Sequence, residues 1–337
     1  NVYNTGTKLD VSGSNTQEIG TAVHAWNYFT APWFAAQINV TPEAGYTDQA
    51  VAVWERINDD DVLTQISEPL RGETSAVDAD ADFGAAIHHA DRDTLFIGAP
   101  ANDGDTGAIL IYVRNQDYGV WELVDVDYGD SAGDLLGSSI AYISDTRMLV
   151  GAPGAGKVYQ YTFNGSVWSR NNYENGGTGY GTSIKISDTL LAISDTDSNS
   201  NVHLYSINLS TSAKTFIATV SGTALLPITS YDIWKLDNTK YLAVGHDTVS
   251  SDGSVKVYTV GTNSVTLMQT LTPYDTKGAR QFGFAVKFTE SGKLIVGDPN
   301  APAKRATSFS SMSGDPLTFD GGATAFVDDV MIGKLIV

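Results

Sequence analysis

The sequence predicts an all-β fold made of repeated four-stranded antiparallel sheets. One pattern recurs along the 337 residues: an apolar residue before glycine, a strand, a polar turn, and a hydrophobic strand ending in Gly-x-Pro or Gly-x-Asp. Each copy holds four short runs rich in β-branched and aromatic residues, separated by Asp, Asn, Gly and Ser. No stretch shows a helical period, so strands account for the whole pattern.

The clearest copies of the pattern occupy residues 83–100 and 136–153. Both end in Gly-Ala-Pro, and a third copy at residues 282–299 ends in Gly-Asp-Pro; in all three the two glycines are 14 positions apart. In the first of these, strands are predicted at residues 85–89, 95–98, 108–113 and 120–126. Weaker copies complete the series, so that repeats begin near residues 20, 84, 137, 181, 231, 283 and 321.

Seven repeats of this length predict a single domain over residues 1–337, a seven-bladed β-propeller. The last repeat supplies only two strands before Val337, whereas the chain begins with Val2-Tyr3 and continues with Leu9-Asp10-Val11. These segments resemble the third and fourth strands of the other repeats. We therefore expect residues 1–11 to complete the last blade, which would remove exposed sheet edges.

The Phe-Gly and Gly-Ala-Pro pairs resemble the FG-GAP repeat of the integrin α-subunit and of many secreted or surface propellers. The resemblance implies a seven-bladed propeller that recognises proteins or glycans, often outside the cell. Integrin-type repeats often carry a calcium loop of the form D-x-D-G between the first two strands, where alternating oxygens reach one cation. The corresponding turns here, at residues 90–94, 144–147 and 187–189, are too short, and we expect the integrin calcium sites to be missing.

The composition limits the partners. Lys and Arg number 20 and Asp and Glu number 39, for a formal net charge of −19. Such a surface repels phosphate backbones and anionic head groups, so we expect neither nucleic acid nor membrane insertion. The absence of cysteine excludes disulfides and thiolate metal sites. The many Gly, Tyr, Ser and Asn residues favour a secreted or cell-surface chain, in keeping with N-x-S/T triplets at Asn39, Asn164 and Asn208.

Two loops rich in Asp and Asn are candidate metal sites. The first contains Asn102, Asp103 and Asp105, and the second contains Asp195, Asp197 and Asn199. Their alternating oxygens near tight turns suit Ca²⁺. The alternative is that these side chains only stabilise turns, which Asp and Asn do by imitating backbone hydrogen bonds. The sequence requires no cofactor and allows calcium.

An aromatic insertion in the first repeat is a candidate ligand contact. Tyr28, Phe29 and Trp33 replace a short turn, and aromatic side chains of this kind stack on sugar rings or anchor a protein partner. Trp121 and Trp168 fall at equivalent places on predicted outer strands, so we expect them to pack between blades instead.

Catalytic signatures are missing from the sequence. The five histidines show no metal-binding spacing, and His88 and His89, as neighbours on a strand, are expected to point to opposite faces. We therefore expect a binding protein rather than an enzyme: an adhesion propeller for a protein or glycan, or a structural part of a surface filament or virion appendage. The alternative is a glycan-active lyase or hydrolase at the central channel, which would need clustered His, Tyr, Arg or paired carboxylates on the inner strands.

Overall fold

The structure is a computed structural model that describes the middle of the chain. The described residues are 19–28, 31–40, 43–56, 63–65, 67–91, 93–115, 117, 119–197, 200–236, 238–247, 252–273, 281–289 and 292–298. By their contacts, the described residues up to Ile184 form one compact unit and those from Lys185 onward form another. The single domain expected from the sequence stays a prediction.

The first unit contains three four-stranded sheets. Sheet one consists of β1 (Ile19–Tyr28), β2 (Ala31–Asn39), β3 (Gln49–Arg56) and β4 (Leu63–Gln65). Sheet two consists of β5 (Ala86–Asp91), β6 (Thr94–Ala99), β7 (Ala108–Arg114) and β8 (Trp121–Tyr128). Residues 102–105, between β6 and β7, form a tight turn in which Asp103 and Gly104 have left-handed backbone angles. Sheet three consists of β9 (Ser139–Ser144), β10 (Arg147–Ala152), β11 (Lys157–Phe163) and β12 (Trp168–Asn175).

The second unit begins within the first strand of sheet four. Sheet four consists of β13 (Ser183–Ser187), β14 (Leu190–Ser194), β15 (Asn201–Ile207) and β16 (Lys214–Ser221). Sheet five consists of β17 (Ser230–Leu236), β18 (Thr239–His246), β19 (Ser254–Val260) and β20 (Val265–Leu271). A two-stranded sheet of β21 (Val286–Phe288) and β22 (Leu294–Val296) follows.

Within every described sheet, strands that are consecutive in the sequence lie side by side. Their paired registers, such as β6 with β7 and β10 with β11, are antiparallel. The prediction of an all-β fold with four-stranded antiparallel sheets is confirmed. The four strands predicted in the repeat from Phe83 match β5 to β8 within two residues at each end. The seventh repeat, near residue 321, and residues 1–11 lie outside the described residues, so seven-bladed closure stays a prediction.

The glycines that define the repeat bond to each other. The Gly84 backbone N–H donates to the carbonyl oxygen of Gly98 over 2.9 Å, and Gly137 donates to Gly151 over 3.0 Å. The first glycine of each pair has a positive φ, +91° at Gly84 and +96° at Gly137, a conformation that a residue with a Cβ adopts only under strain. This bond fixes the 14-residue spacing because it closes the loop before the first strand onto the end of the second.

The second glycine of the pair is required by the next sheet. A methyl group in place of the Gly98 hydrogen would overlap the carbonyl oxygen of Gly137, and one at Gly151 would overlap that of Gly181. Sheets two and three therefore meet backbone to backbone where these glycines lie. Such close approach tolerates no side chain.

Aromatic side chains fill the layers between neighbouring sheets of the first unit. Trp121 of sheet two packs edge-on against Trp33 of sheet one, with ring centroids 6.4 Å apart. Trp168 of sheet three packs edge-on against Phe96 of sheet two at 4.8 Å. The prediction that Trp121 and Trp168 pack between sheets is confirmed, and this edge-to-face geometry is the favoured one for aromatic pairs.

Candidate functional site

Three histidines from two neighbouring sheets come together in the first unit. His24 lies on β1, and His88 and His89 lie on β5. The ring centroid of His24 is 4.0 Å from that of His88 and 5.0 Å from that of His89, and the two β5 rings are stacked 5.2 Å apart. We call these three residues the histidine cluster.

The prediction that His88 and His89 point to opposite faces of their strand is wrong. His88 pairs with Phe96 and His89 with Leu95, but the register with β6 then shifts, and the next paired residue is Asp91. The bulge at Ala90 follows both histidines and leaves their own pairing with β6 regular. Their rings nevertheless stack 5.2 Å apart with planes 16° from parallel, so both side chains extend to the same place.

Hydrogen bonds orient the imidazole rings. Nε2 of His24 and Nδ1 of His89 are 2.8 Å apart, so one of these nitrogens donates to the other. Nδ1 of His88 lies 2.9 Å from the carbonyl oxygen of His89, and because a carbonyl only accepts, this nitrogen carries the proton. Neutral His88 therefore presents an unprotonated Nε2.

The environment keeps two members of the histidine cluster uncharged. Burial lowers the pKa of His88 from 6.5 to about 4. Burial, followed by repulsion from His88, lowers the pKa of His89 from 6.5 to about 3. Both imidazoles are neutral at pH 7, since desolvation disfavours the charged form.

Tyr142 extends the cluster from the third sheet. This residue lies on β9, and its ring is stacked 6.1 Å from that of His88 and 5.8 Å from that of His89. Its hydroxyl donates to Oδ1 of Asp145 over 2.5 Å. Burial, and then the hydrogen bond to Asp145, raises the pKa of Tyr142 well above its usual value, so the phenol keeps its proton at pH 7.

A sequence signal for this site existed in the repeat register. His24 and His88 are both the fourth residue after the first glycine of their repeats, Gly20 and Gly84, while His89 and Tyr142 are the fifth residue after theirs. Aligning the repeats places all four on first strands at one level. No local metal-binding motif contains these four residues, because they come from three repeats.

The first predicted metal loop is tied to Asp78 by hydrogen bonds. Asn102 is 3% exposed, and its Oδ1 accepts the backbone N–H of Asp78 over 2.8 Å. The backbone N–H of Asp103 donates to Oδ2 of Asp78 over 2.7 Å. Asp103 and Asp105 both have positive φ, 47° and 66°, which Asp tolerates better than most residues. These contacts explain the turn, and a calcium ion there stays a prediction.

The second predicted metal loop is centred on Asp195, which is 6% exposed. His203 Nε2 lies 2.8 Å from Oδ2, and the backbone N–H and side-chain amide of Asn201 donate to the carboxylate. Burial alone would raise the pKa of Asp195, but the bonds from His203 and Asn201 outweigh it and lower the pKa. The backbone N–H of Asp197 also donates to the Asp195 carboxylate. Asn199 lies outside the described residues. Calcium binding by this loop stays a prediction.

Of the predicted aromatic contact residues, only the Trp33 side chain is described. Trp33 is 1% exposed, packs against Trp121 and has the guanidinium carbon of Arg114 5.0 Å above its ring. It is a core residue in this structure, and ligand binding by it stays untested. Tyr28 is described only by its backbone, which pairs with Ala31, and Phe29 lies outside the described residues.

A cleft of about 590 Å³ lies elsewhere in the first unit, between residues 67–73 and β8. It is lined by Tyr46 and Trp121 together with the carboxylates of Glu68, Glu73 and Glu122. Tyr46 is 38% exposed there. The histidine cluster does not line this cleft, so the two features are separate.

Among the described residues, no helix is long and apolar enough to cross a membrane.

Comparisons with known proteins give structural matches alone. No family model and no curated protein matches the sequence. A solved structure from Bacteroides fragilis NCTC 9343, described as a "putative 6-phosphogluconolactonase", is 12% identical, with a TM-score of 0.55 over 85% of this chain and 80% of that chain. A protein of the same description from Bacteroides uniformis ATCC 8492 is 9% identical, with a TM-score of 0.46 over 85% of this chain and 95% of that one.

The match of TM-score 0.55 corrects one prediction. The sequence predicts that the chain is not an enzyme, but the similar structure from Bacteroides fragilis is described as a lactonase, which is an enzyme. At 12% identity the likeness shows the fold alone. The fold therefore does not argue against an enzyme. Whether a chain is an enzyme depends on its site rather than on its fold.

Proposed function

We propose that this chain is an enzyme that hydrolyses a neutral sugar-derived substrate at the histidine cluster. The observation that carries the proposal is the meeting of His24, His88, His89 and Tyr142, which come from the first strands of three successive sheets. The alternative function considered from the sequence, a glycan-active enzyme, requires a cluster of side chains such as His and Tyr. These strands supply such a cluster.

The cluster offers groups that can orient water and a sugar hydroxyl. Neutral imidazoles accept hydrogen bonds, and the Tyr142 phenol stands beside them with its proton directed to Asp145. Imidazoles whose pKa is about 3 or 4 are weak bases by themselves, because general bases work best when their pKa is near the operating pH. They are better suited to hold the attacking water than to deprotonate it unaided.

Charge favours neutral substrates over phosphorylated ones. The chain has a net charge of −19, and the carboxylates of Asp145 and Asp91 both act to raise the pKa of Tyr142. A negative field of this kind lowers the local concentration of anions. A neutral sugar lactone is therefore the first substrate to test, and its 6-phosphate is the matched comparison; the lactonase description of the similar structure supports this choice of bond.

Turnover of glucono-δ-lactone and of its 6-phosphate, measured by proton release, tests the proposal. We expect the neutral lactone to be hydrolysed faster, and we expect His88→Gln and His89→Gln to lower kcat/KM by about 100-fold, the usual cost of misplacing a reacting group. His203→Gln is the matched control, because this histidine lies on β15 and bonds to Asp195. No turnover by the wild type, or equal loss in the control, would contradict the proposal.

The cleft beside β8 supports a second candidate, recognition of a protein or glycan, as expected for a secreted or surface chain. Aromatic rings next to carboxylates suit a neutral saccharide. The C–H face of the sugar would stack on an aromatic ring, and its hydroxyls would donate hydrogen bonds to the carboxylates. Tyr46→Ala should abolish binding on a glycan array. Tyr128→Ala, at a tyrosine 42% exposed that does not line the cleft, should retain it.

The structural frame of both candidates is a seven-bladed propeller of the FG-GAP type. Five described four-stranded sheets and the β21–β22 pair support six of the seven repeats. Completion of the last blade by residues 1–11 belongs to this proposal. Its test is deletion of residues 1–11, which should lower the melting temperature far more than trimming an ordinary terminus.

A further inference from the structure

We propose that His24, His88 and His89 bind one divalent transition-metal ion of the zinc class. This inference names a cofactor for the proposed enzyme and rests on the proposed function only for its catalytic meaning. Metal binding itself is measured without substrate, so the two can fail separately.

The distances between ligand atoms fit one small ion. One ring nitrogen from each of the three histidines lies within 4.8 Å of the other two. With zinc–nitrogen bonds of about 2.0–2.1 Å, tetrahedral ligand nitrogens are about 3.3 Å apart. Nε2 of His24 and Nδ1 of His89, 2.8 Å apart, are closer than that value, and the 4.8 Å limit for the three nitrogens lies above it. The three rings are therefore grouped on the scale of one coordination sphere.

The ligand type selects the class of metal. Imidazole nitrogens favour zinc, copper and nickel, whereas calcium and magnesium prefer oxygen ligands. All three candidate ligands are imidazoles. The cluster should therefore discriminate against Ca²⁺ and Mg²⁺. The acidic loops at residues 102–105 and 195–199 offer oxygen ligands and would favour Ca²⁺ instead.

The surroundings of His88 match those of a metal ligand. Metal-binding histidines usually donate their second ring N–H to a carbonyl or carboxylate, which fixes the tautomer and the ring orientation. Nδ1 of His88 donates in this way to the carbonyl oxygen of His89. Nε2 is thereby the nitrogen available to an ion.

The hydrogen bond between His24 and His89 uses two nitrogens that an ion would need. They are 2.8 Å apart, so one of them donates to the other. When the ion binds, the donor ring loses that proton and takes one on its other nitrogen, so both imidazoles stay neutral and both direct a lone pair at the ion. Metal and proton thus compete for the same two atoms.

Tyr142 acts as a positioning residue. Its ring is nearly parallel to those of His88 and His89, at 5° and 12°, and supports them from the β9 side. Three protein ligands leave a fourth position for water, as in catalytic zinc sites. A zinc ion there would supply activation of the water bound at that position.

The test is isothermal titration of the metal-free full chain with ZnCl₂, followed by CoCl₂ titration with visible absorption. We expect one ion per chain, no displacement by millimolar Ca²⁺ or Mg²⁺, and the intense cobalt bands of a four-coordinate site. His24→Ala, His88→Ala and His89→Ala should each weaken zinc binding by about 100-fold or more. His203→Ala is the control and should bind zinc like the wild type.

Conservative variants keep the test independent of folding. His88→Gln and His89→Gln nearly preserve volume and polarity, and circular dichroism checks that they fold. Absence of saturable zinc binding, binding unchanged in these variants, or loss of binding in Asp103→Asn instead would overturn the inference. Zinc bound without turnover would remove the proposed function alone. Turnover resistant to chelators in a protein that binds no zinc would remove the inference alone.

Discussion

Gly98 shows at the scale of one residue why the repeat tolerates so little change. Its carbonyl oxygen accepts the Gly84 N–H, and its Cα lies against the backbone of Gly137 in the next sheet. A side chain there would meet backbone, which cannot rotate away.

Gly98→Ala is therefore expected to lower the free energy of unfolding by about 3 kcal/mol, the upper end of typical overpacking costs. Urea denaturation monitored by tryptophan fluorescence measures this change. Gly177→Ala is the matched control, since a methyl group at Gly177 would contact nothing within 4 Å. We expect that control to change stability by about 0.5 kcal/mol or less. Similar effects of the two substitutions would show that the sheets do not meet at Gly98.

Asp195 gives a pH-dependent prediction at the same scale. Its pKa is lowered from the ordinary 3.8 because the bonds from His203 and Asn201 outweigh burial. A carboxyl whose folded pKa is depressed stabilises the protein above its unfolded pKa, and that contribution is lost as the pH falls through the folded pKa.

We expect Asp195→Asn to destabilise the protein by about 1–3 kcal/mol at pH 7, the range for loss of a buried charged hydrogen-bond partner. The difference from wild type should shrink as the pH falls below the unfolded pKa of about 3.9 towards the lowered folded pKa, where the native carboxyl takes up its proton. Unfolding curves at pH 7, 5 and 3 for both proteins check this. A difference that is constant over this range would contradict the account of Asp195.

At the scale of elements, the aromatic layer between sheets two and three determines how they pack. Phe96 of β6 is fully buried and contacts Tyr161 and Trp168 of sheet three edge-on. Phe96→Ala should cost about 3–5 kcal/mol, as deletion of a buried aromatic ring usually does. Phe216→Ala, at a ring 54% exposed on β16, should cost much less. Equal costs in chemical denaturation would argue against packing of sheet three on Phe96.

The strands themselves were predictable from the sequence, because alternating apolar residues and turn residues are local signals. The histidine cluster was not predicted for two physical reasons. The rings of His88 and His89 stack on each other, although consecutive strand residues ordinarily point to opposite faces. The alignment of β1, β5 and β9 depends on packing between sheets, which no local pattern encodes. The burial of Trp33 has the same origin, since its partner Trp121 is 88 positions away in the sequence.

At the scale of the whole molecule, repetition is what creates the candidate site. Each sheet alone contributes one or two polar side chains at the level of the cluster, and three successive repeats are needed to collect them. The acidic charge of the chain then favours cations and neutral molecules as its ligands. Repeat folds commonly vary a few positions on a constant framework in this way to build binding sites.

The central claim is that the first strands of three sheets bring His24, His88 and His89 to one point where an ion can bind. The most direct measurement is a crystal structure of the chain grown with zinc, with anomalous diffraction recorded at the zinc absorption edge. The account predicts one peak about 2.0–2.1 Å from a ring nitrogen of each of the three histidines. Anomalous density at the acidic loops with none at the histidines, or imidazole rings pointing away from one another, would contradict it.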